Sequence, residues 1–237
     1  MTLMVQRVSV AAVFLVILSW QPQAVGQRPS PWRLVRDHAD EVRASFDTSV
    51  GHTSRGSVRL IAERRTKGEV AVLQPFRAAT WRGKRVRLSG FLAATISSGE
   101  GGLVAVINNG TRYGNYHSSK ERIVPGDAGW RLLTVTLDVP EDATLLSIGV
   151  WLRRGSGTVW LDDVTFDEVT RGVATDSVPR RSAPLSQSEM NKIASVWEAA
   201  SAQPTNLSFE DSGDTIDDWK GPSPDDPENA ADDDAER

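Results

Sequence analysis

The chain has three histidines, His38, His52 and His117, and they lack the close spacing that sets two imidazoles on one zinc ion. Asp162-Asp163 and Glu141-Asp142 are neighbouring acids, and paired carboxylates can hydrolyse glycosidic bonds. Successive side chains of a strand point to opposite faces, so Asp162 and Asp163 are poor partners across one scissile bond. Glu141-Asp142 follows Pro140 in turn-forming sequence, where acids serve solubility and turn geometry. No Gly-x-Ser-x-Gly elbow, phosphate loop or dinucleotide fingerprint occurs. The chain therefore reads as non-catalytic, and the residues with recognition chemistry are Trp151 and Arg153, an aromatic and a fork of donors two positions apart.

The elements that position them are strands. Leu133, Val135, Leu137 and Val139 alternate with Leu132, Thr134, Thr136 and Asp138, the period-two pattern of a strand with one buried face. Leu146, Ile148, Val150 and Leu152 repeat it, which sends Ser147, Gly149, Trp151 and Arg153 to the other face. Gly155-Ser156-Gly157 reads as a turn, with a further strand from Thr158 to Val169. The same grammar marks Arg85 to Ala93 and Leu103 to Ile107. Such spacing predicts an all-β antiparallel sandwich or jelly roll rather than βαβ units. On it, Trp151 with Arg153 would face outward, and the loop NNGTRYGNYHSSK would add Tyr113, Tyr116 and His117 as a rim, with Asn108 supplying an amide. The alternative is that a helix covers Trp151 as packing.

The runs FRAATWRGKRVRLSGFLAAT, WRLLTVTLDVPEDATLLSIGVWL and GSGTVWLDDVTFDEV resemble the galactose-binding-domain-like jelly rolls of bacterial carbohydrate-binding modules. The resemblance spans Trp32 to Val169, with SVGHTSRGSVRLIAE as the early segment. It implies a non-catalytic module that takes carbohydrate or cell-envelope glycan on an aromatic platform with a polar rim. It also implies a structural calcium ion, for which the matching positions are Asp163, Asp47, the turn from Ser54 to Ser57, and Glu210. Calcium takes six to eight hard oxygen ligands. LVAVINN is less aromatic than the corresponding strand of sugar-binding relatives. The alternative function is a structural or protein-interaction sandwich of the envelope with no sugar ligand.

Residues 1–26 read as a signal peptide: Arg7, an apolar run from Val8 to Trp20, then Ala24-Val25-Gly26. Export to the periplasm or the cell exterior follows, with no stable membrane span after cleavage, an uncleaved anchor being the alternative. The absence of cysteine excludes disulfides and suits a bacterial envelope. Residues 27–170 form the module. Residues 171–204 read as a linker containing a short helix at 186–200, with Met190, Ile193, Val196, Trp197 and Ala200 on one stripe, there to pack on the module or to bind a partner. Residues 205–237 hold twelve acidic and two basic residues, whereas the whole chain is at −4. Within them, NLSFE at 206–210 matches the opening-strand motif of the same modules and reads either as a strand returning to the sheet or as a truncated second copy. The rest is expected to be a disordered acidic tail. Basic positions such as Arg64, Arg65, Lys67, Arg82, Lys84, Arg85 and Arg87 come with no nucleic-acid recognition motif, so nucleic acid is not an expected partner. They would face solvent and could attract acidic envelope polymers.

Overall fold

The computed structural model describes residues 29–35, 41–53, 56–109, 115–127, 129–176, 178–180, 187–210 and 215–218. The signal segment, Ser54, Tyr113 and residues 219–237 lie outside them. The elements in chain order are β1 (Pro29–Val35), β2 (Val42–Asp47), β3 (Ser57–Ala62), β4 (Glu69–Arg77), β5 (Arg85–Asn108), β6 (Asn115–Ser118), β7 (Arg131–Asp138), β8 (Leu145–Glu168), β9 (Val178–Arg180), α1 (Gln187–Ala199) and β10 (Thr215–Asp218).

Two strands of 24 residues organise the molecule. β5 and β8 pair antiparallel from Val86↔Glu168 to Asn108↔Leu145, and each belongs to two layers. Leu145 to Arg153 of β8 pairs with β4, in a layer ordered β10-β1-β4-β8-β5-β6-β9; the later half of β8 pairs with β3, in a layer completed by β2 and by β7 on β5. Two sheets packed face to face bury the alternating residues of their inner faces. Leu146, Ile148, Val150 and Leu152 from one layer meet Leu88, Leu133, Val135, Leu137 and Leu161 from the other in one core. The all-β sandwich with a short C-terminal helix stands as expected.

Two glycine clusters act differently from the sequence reading. Gly155 to Gly157 is no hairpin turn, because β8 continues through it. Arg85 to Ala93 and Leu103 to Ile107 are likewise one strand. The chain bends where it passes between layers: Gly99 (φ 78°), Gly157 (φ 125°) and Arg154 (φ 48°) adopt left-handed backbone there, and the β5–β8 register shifts between Ile96 and Glu100. Glycine takes such angles without a Cβ clash, so it serves a sheet corner as readily as a turn.

Residues 206–210 form no strand. They are an irregular segment that seals the sandwich: Val164 N donates to Leu207 O at 3.0 Å, Thr205 N donates to Gln74 Oε1 at 2.7 Å, and Phe209 is 1% exposed in the core. The returning strand is β10, parallel to β1. Helix α1 packs Ile193 and Met190 on Tyr116, and Arg77 stacks 4.7 Å over the Trp197 ring. No helix among the described residues is long and apolar enough to cross a membrane.

Candidate ligand-binding site

The alternation of β8 does send Ser147, Gly149, Trp151 and Arg153 away from the main core, but the face they enter is not open. Trp151 is 2% exposed and packs with Val35, Ala71, Leu73, Val104 and Val106, with Tyr116 at the edge. Gly102 makes this fit feasible: a Cβ there would lie 3.0 Å from the indole Cζ2. The guanidinium of Arg122 sits 5.2 Å from the indole centroid and that of Arg153 5.3 Å, within the range of cation–π attraction. Glu100 holds both cations, hydrogen-bonded to Arg153 Nη2 and 3.9 Å from Arg122 Nε. Trp151 Nε1 is buried and, among the described residues, has no hydrogen-bond partner.

The opening left beside the indole is lined by Glu69, Tyr116, Ser118, Arg122 and Arg153 and measures about 40 Å³, room for little more than one water-sized group. Trp151 is thus the floor of a polar recess and not a platform on which a sugar ring could stack. Of the expected rim, Tyr116 lines this recess. His117 is the next residue of β6 and points to the opposite face, where burial lowers its pKa. Asn108 is 5% exposed, and its backbone carbonyl accepts from Thr144 N and Oγ1.

Of the acids of the expected calcium set, Asp163 and Glu210 line one open cleft with Asn206 and Leu207, and Asp47 is not part of that lining. Asp47 accepts from Ser49 Oγ, Ser49 N, Trp160 Nε1 and Arg59 Nη1, and Ser57 donates its hydroxyl to Val50 O. Burial alone would raise the Asp47 pKa, but the bonds from Ser49 and Trp160 and the charge of Arg59 outweigh it and hold the group at about 2. Asp163 is bound by His52 Nδ1 at 2.8 Å and Thr53 Oγ1 at 2.8 Å. Its neighbour Asp162 is the one turned inward, wholly buried, accepting from His52 N and Asp163 N at 2.7 Å each. Burial, and then the charges of Asp163 and Glu210, raise its pKa against those two bonds. Gly56 lies beside the Phe209 carbonyl and Glu210: its Cβ would come within 2.9 Å of Glu210 Oε1. Among the described residues, no three His, Cys, Asp or Glu side chains converge as metal ligands. The charges of Asp162 and Glu210 meet, and their oxygens are of the hard type that calcium takes; Asp47, Asp162 and Asp163 each already accept hydrogen bonds from protein donors.

No family model matches the chain. It is 28% identical over 183 residues to an uncharacterized HTH-type transcriptional regulator, YbfP, of Bacillus subtilis, covering 76% of this chain and 56% of that protein. The chain therefore spans little more than half the length of this relative. Among the described residues there is one helix, so no helix-turn-helix pair stands there. Solved structures similar to the chain include the CBM22-1 and GH10 modules of Clostridium thermocellum xylanase 10B, at 14% identity and TM-score 0.48 over 61% of this chain and 27% of that one. The C-terminal family 22 carbohydrate-binding module of the same xylanase is 14% identical, with TM-score 0.44 over 64% and 90%.

Arg122, Glu100 and Asp162 are the residues that sequence reading missed. Arg122 and Glu100 lie outside the strand repeat that singled out Trp151 and Arg153. Asp162 was hidden by the strand pairing. Ser89 to Phe91 on β5 spans one residue fewer than Asp162 to Thr165 on β8, the signature of a bulge. The extra residue breaks the in–out parity that the sequence alone would continue through Asp162-Asp163.

Proposed function

We propose that the chain is a non-catalytic, exported binding module that takes carbohydrate or cell-envelope glycan at the rim of the Trp151 recess. The observation that carries this reading is the pair Arg122 and Arg153, stacked on a buried indole and held by Glu100, with Glu69, Ser118 and Tyr116 beside them. Sugar hydroxyls both donate and accept hydrogen bonds, and this rim presents fixed donors and acceptors at low entropic cost. A glycan would lie across the rim with one hydroxyl in the recess. Catalysis finds no support beside it: Asp162 and Asp163, adjacent acids next to His52, are engaged by protein donors. Export rests on the first 26 residues.

A glycan array probed with the intact chain, followed by titration with Arg153→Ala, tests the reading. Binding that weakens roughly tenfold or more is expected, since a donor fork is lost from the centre of the site, in a variant that still unfolds cooperatively. Absence of binding to every glycan would overturn it in favour of the second reading, a structural or protein-interaction sandwich. That alternative is favoured by one observation: Trp151 is covered, with Tyr116 at its edge packed beneath Ile193 of α1.

A structural calcium ion belongs to the same proposal at Asp162 and Glu210. There it would neutralise buried negative charge and tie the 206–210 segment to β8.

A further inference from the structure

The connection from β3 to β4 crosses between the layers at the place where β8 bends, and it carries Arg64, Arg65 and Lys67. Four backbone or side-chain bonds lock it to the bend: Thr66 N donates to Gly155 O at 2.9 Å, Gly155 N to Thr66 Oγ1 at 3.2 Å, Arg154 N to Gly68 O at 3.0 Å, and Arg65 Nε to Arg154 O at 3.1 Å. Arg154 holds a left-handed φ of 48°, a conformation that costs a non-glycine residue energy and persists where the surroundings enforce it.

This locked corner carries two clefts. One, of about 400 Å³, is lined by Arg65, Thr66, Lys67 and Arg154. The other, of about 530 Å³, shares Arg65 and Arg154 and adds Arg153, Glu100 and Val124. The two are thus joined through one pair of arginines. Arg64 is paired with Glu41 and Arg153 with Glu100, but among the described residues no carboxylate pairs with Arg65, Lys67 or Arg154. Among the described residues the one acid lining either cleft is Glu100, already bound to Arg153 and Arg122.

We propose that this corner is a second binding surface, which takes an extended anionic polysaccharide bearing carboxylates at regular intervals. The assignment rests on the glycan-binding reading above and names the class of glycan. Unpaired cations on a rigid, non-catalytic corner raise the local concentration of anions. Guanidinium forks match carboxylate geometry in particular. Two joined clefts suit a chain with repeated charge better than a single small anion. Arg153 stands between the corner and the Trp151 recess, so a bound polymer would run from one to the other.

The test is titration of the whole exported chain with polygalacturonate, with neutral xylan, and with single-stranded DNA of matched charge, followed by the triple variant R65Q/K67Q/R154Q. These three side chains are exposed, and the locking bonds of the corner are otherwise backbone and Thr66 bonds, so a melting curve close to that of the parent is expected. Polygalacturonate should bind the parent and lose roughly tenfold or more of its affinity in the variant, and the parent's binding should weaken steeply with salt. Neutral xylan binding, where present, should be unchanged. If xylan or another neutral glycan binds and polygalacturonate does not, this inference fails while the binding-module reading stands. If DNA binds as tightly as polygalacturonate, the corner is a nonspecific charge surface and the inference also fails. If no glycan binds, both fall.

Discussion

Phe209 meets Trp32 with ring centroids 5.0 Å apart, both side chains wholly or almost wholly buried. One belongs to the first described strand and the other to a segment more than 170 positions later. The core of the sandwich is therefore closed by the region that composition alone assigns to an acidic tail. Phe209 also touches Phe46 on β2, so it bridges both layers. Phe209→Ala should cost about 3–5 kcal/mol, the usual loss for a buried phenylalanine, measured by urea unfolding. A loss below about 1 kcal/mol would mean that the segment rests on the surface and does not complete the core.

The sandwich itself was legible because its strands obey simple parity. Leu133, Val135 and Leu137, and likewise Leu146, Ile148, Val150 and Leu152, are buried as alternation requires. What was not legible follows from backbone features with no composition signal. Gly155 and Gly157 could equally have served a hairpin or a corner, and only the pairing partners decide. The bulge at Asp162-Asp163 reverses which acid faces inward. Trp151 fell on the outer face as alternation demanded, yet strand periodicity says nothing of what lies over that face, and Tyr116, Arg122 and Arg153 cover it.

Asp47 ties β2 to the Trp160 indole and to Arg59, and its pKa is lowered from 3.8 to about 2. A carboxyl more acidic in the native state contributes stability that is present above the unfolded value and is lost as pH falls through the folded one. Asp47→Asn should therefore cost about 2 kcal/mol at neutral pH. It should also flatten the loss of stability between about pH 4 and pH 2. Chemical denaturation across that window checks both, and an acid limb as steep in the variant as in the parent would refute the assignment.

Asp162 has the opposite sign. Its pKa is raised by burial first and then by Asp163 and Glu210, so the native state holds the proton more tightly than the unfolded chain. The ionised form then costs stability at neutral pH, a cost absent below the ordinary carboxylate range and growing as pH rises through the folded value. A calcium ion bound to the native state alone would offset it by mass action. The melting midpoint at neutral pH should rise with added calcium and fall with chelator, and Glu210→Gln should abolish the difference. An unchanged midpoint in the parent would remove calcium from this fold.

The corner of Arg65, Lys67 and Arg154 can be tested against the acidic sequence of its own chain. β10 runs parallel to β1, with Asp218 opposite Leu34, and Val35 of β1 lies opposite Ala71, two residues into β4 after the basic connection. The end of β10 thus lies at the end of the layer that carries the corner. Beyond Asp218 it holds seven acidic and two basic residues, so a chain ending at Asp218 would change its net charge from −4 to +1. Tethered charge acts at high effective concentration. That shorter chain should bind polygalacturonate several-fold more tightly at low salt, and the two affinities should converge as the Debye length contracts to about 3 Å near 1 M salt. Equal affinities at low salt would show that the acidic residues do not reach the corner's field, whereas a difference that persisted at high salt would point to a nonelectrostatic cause.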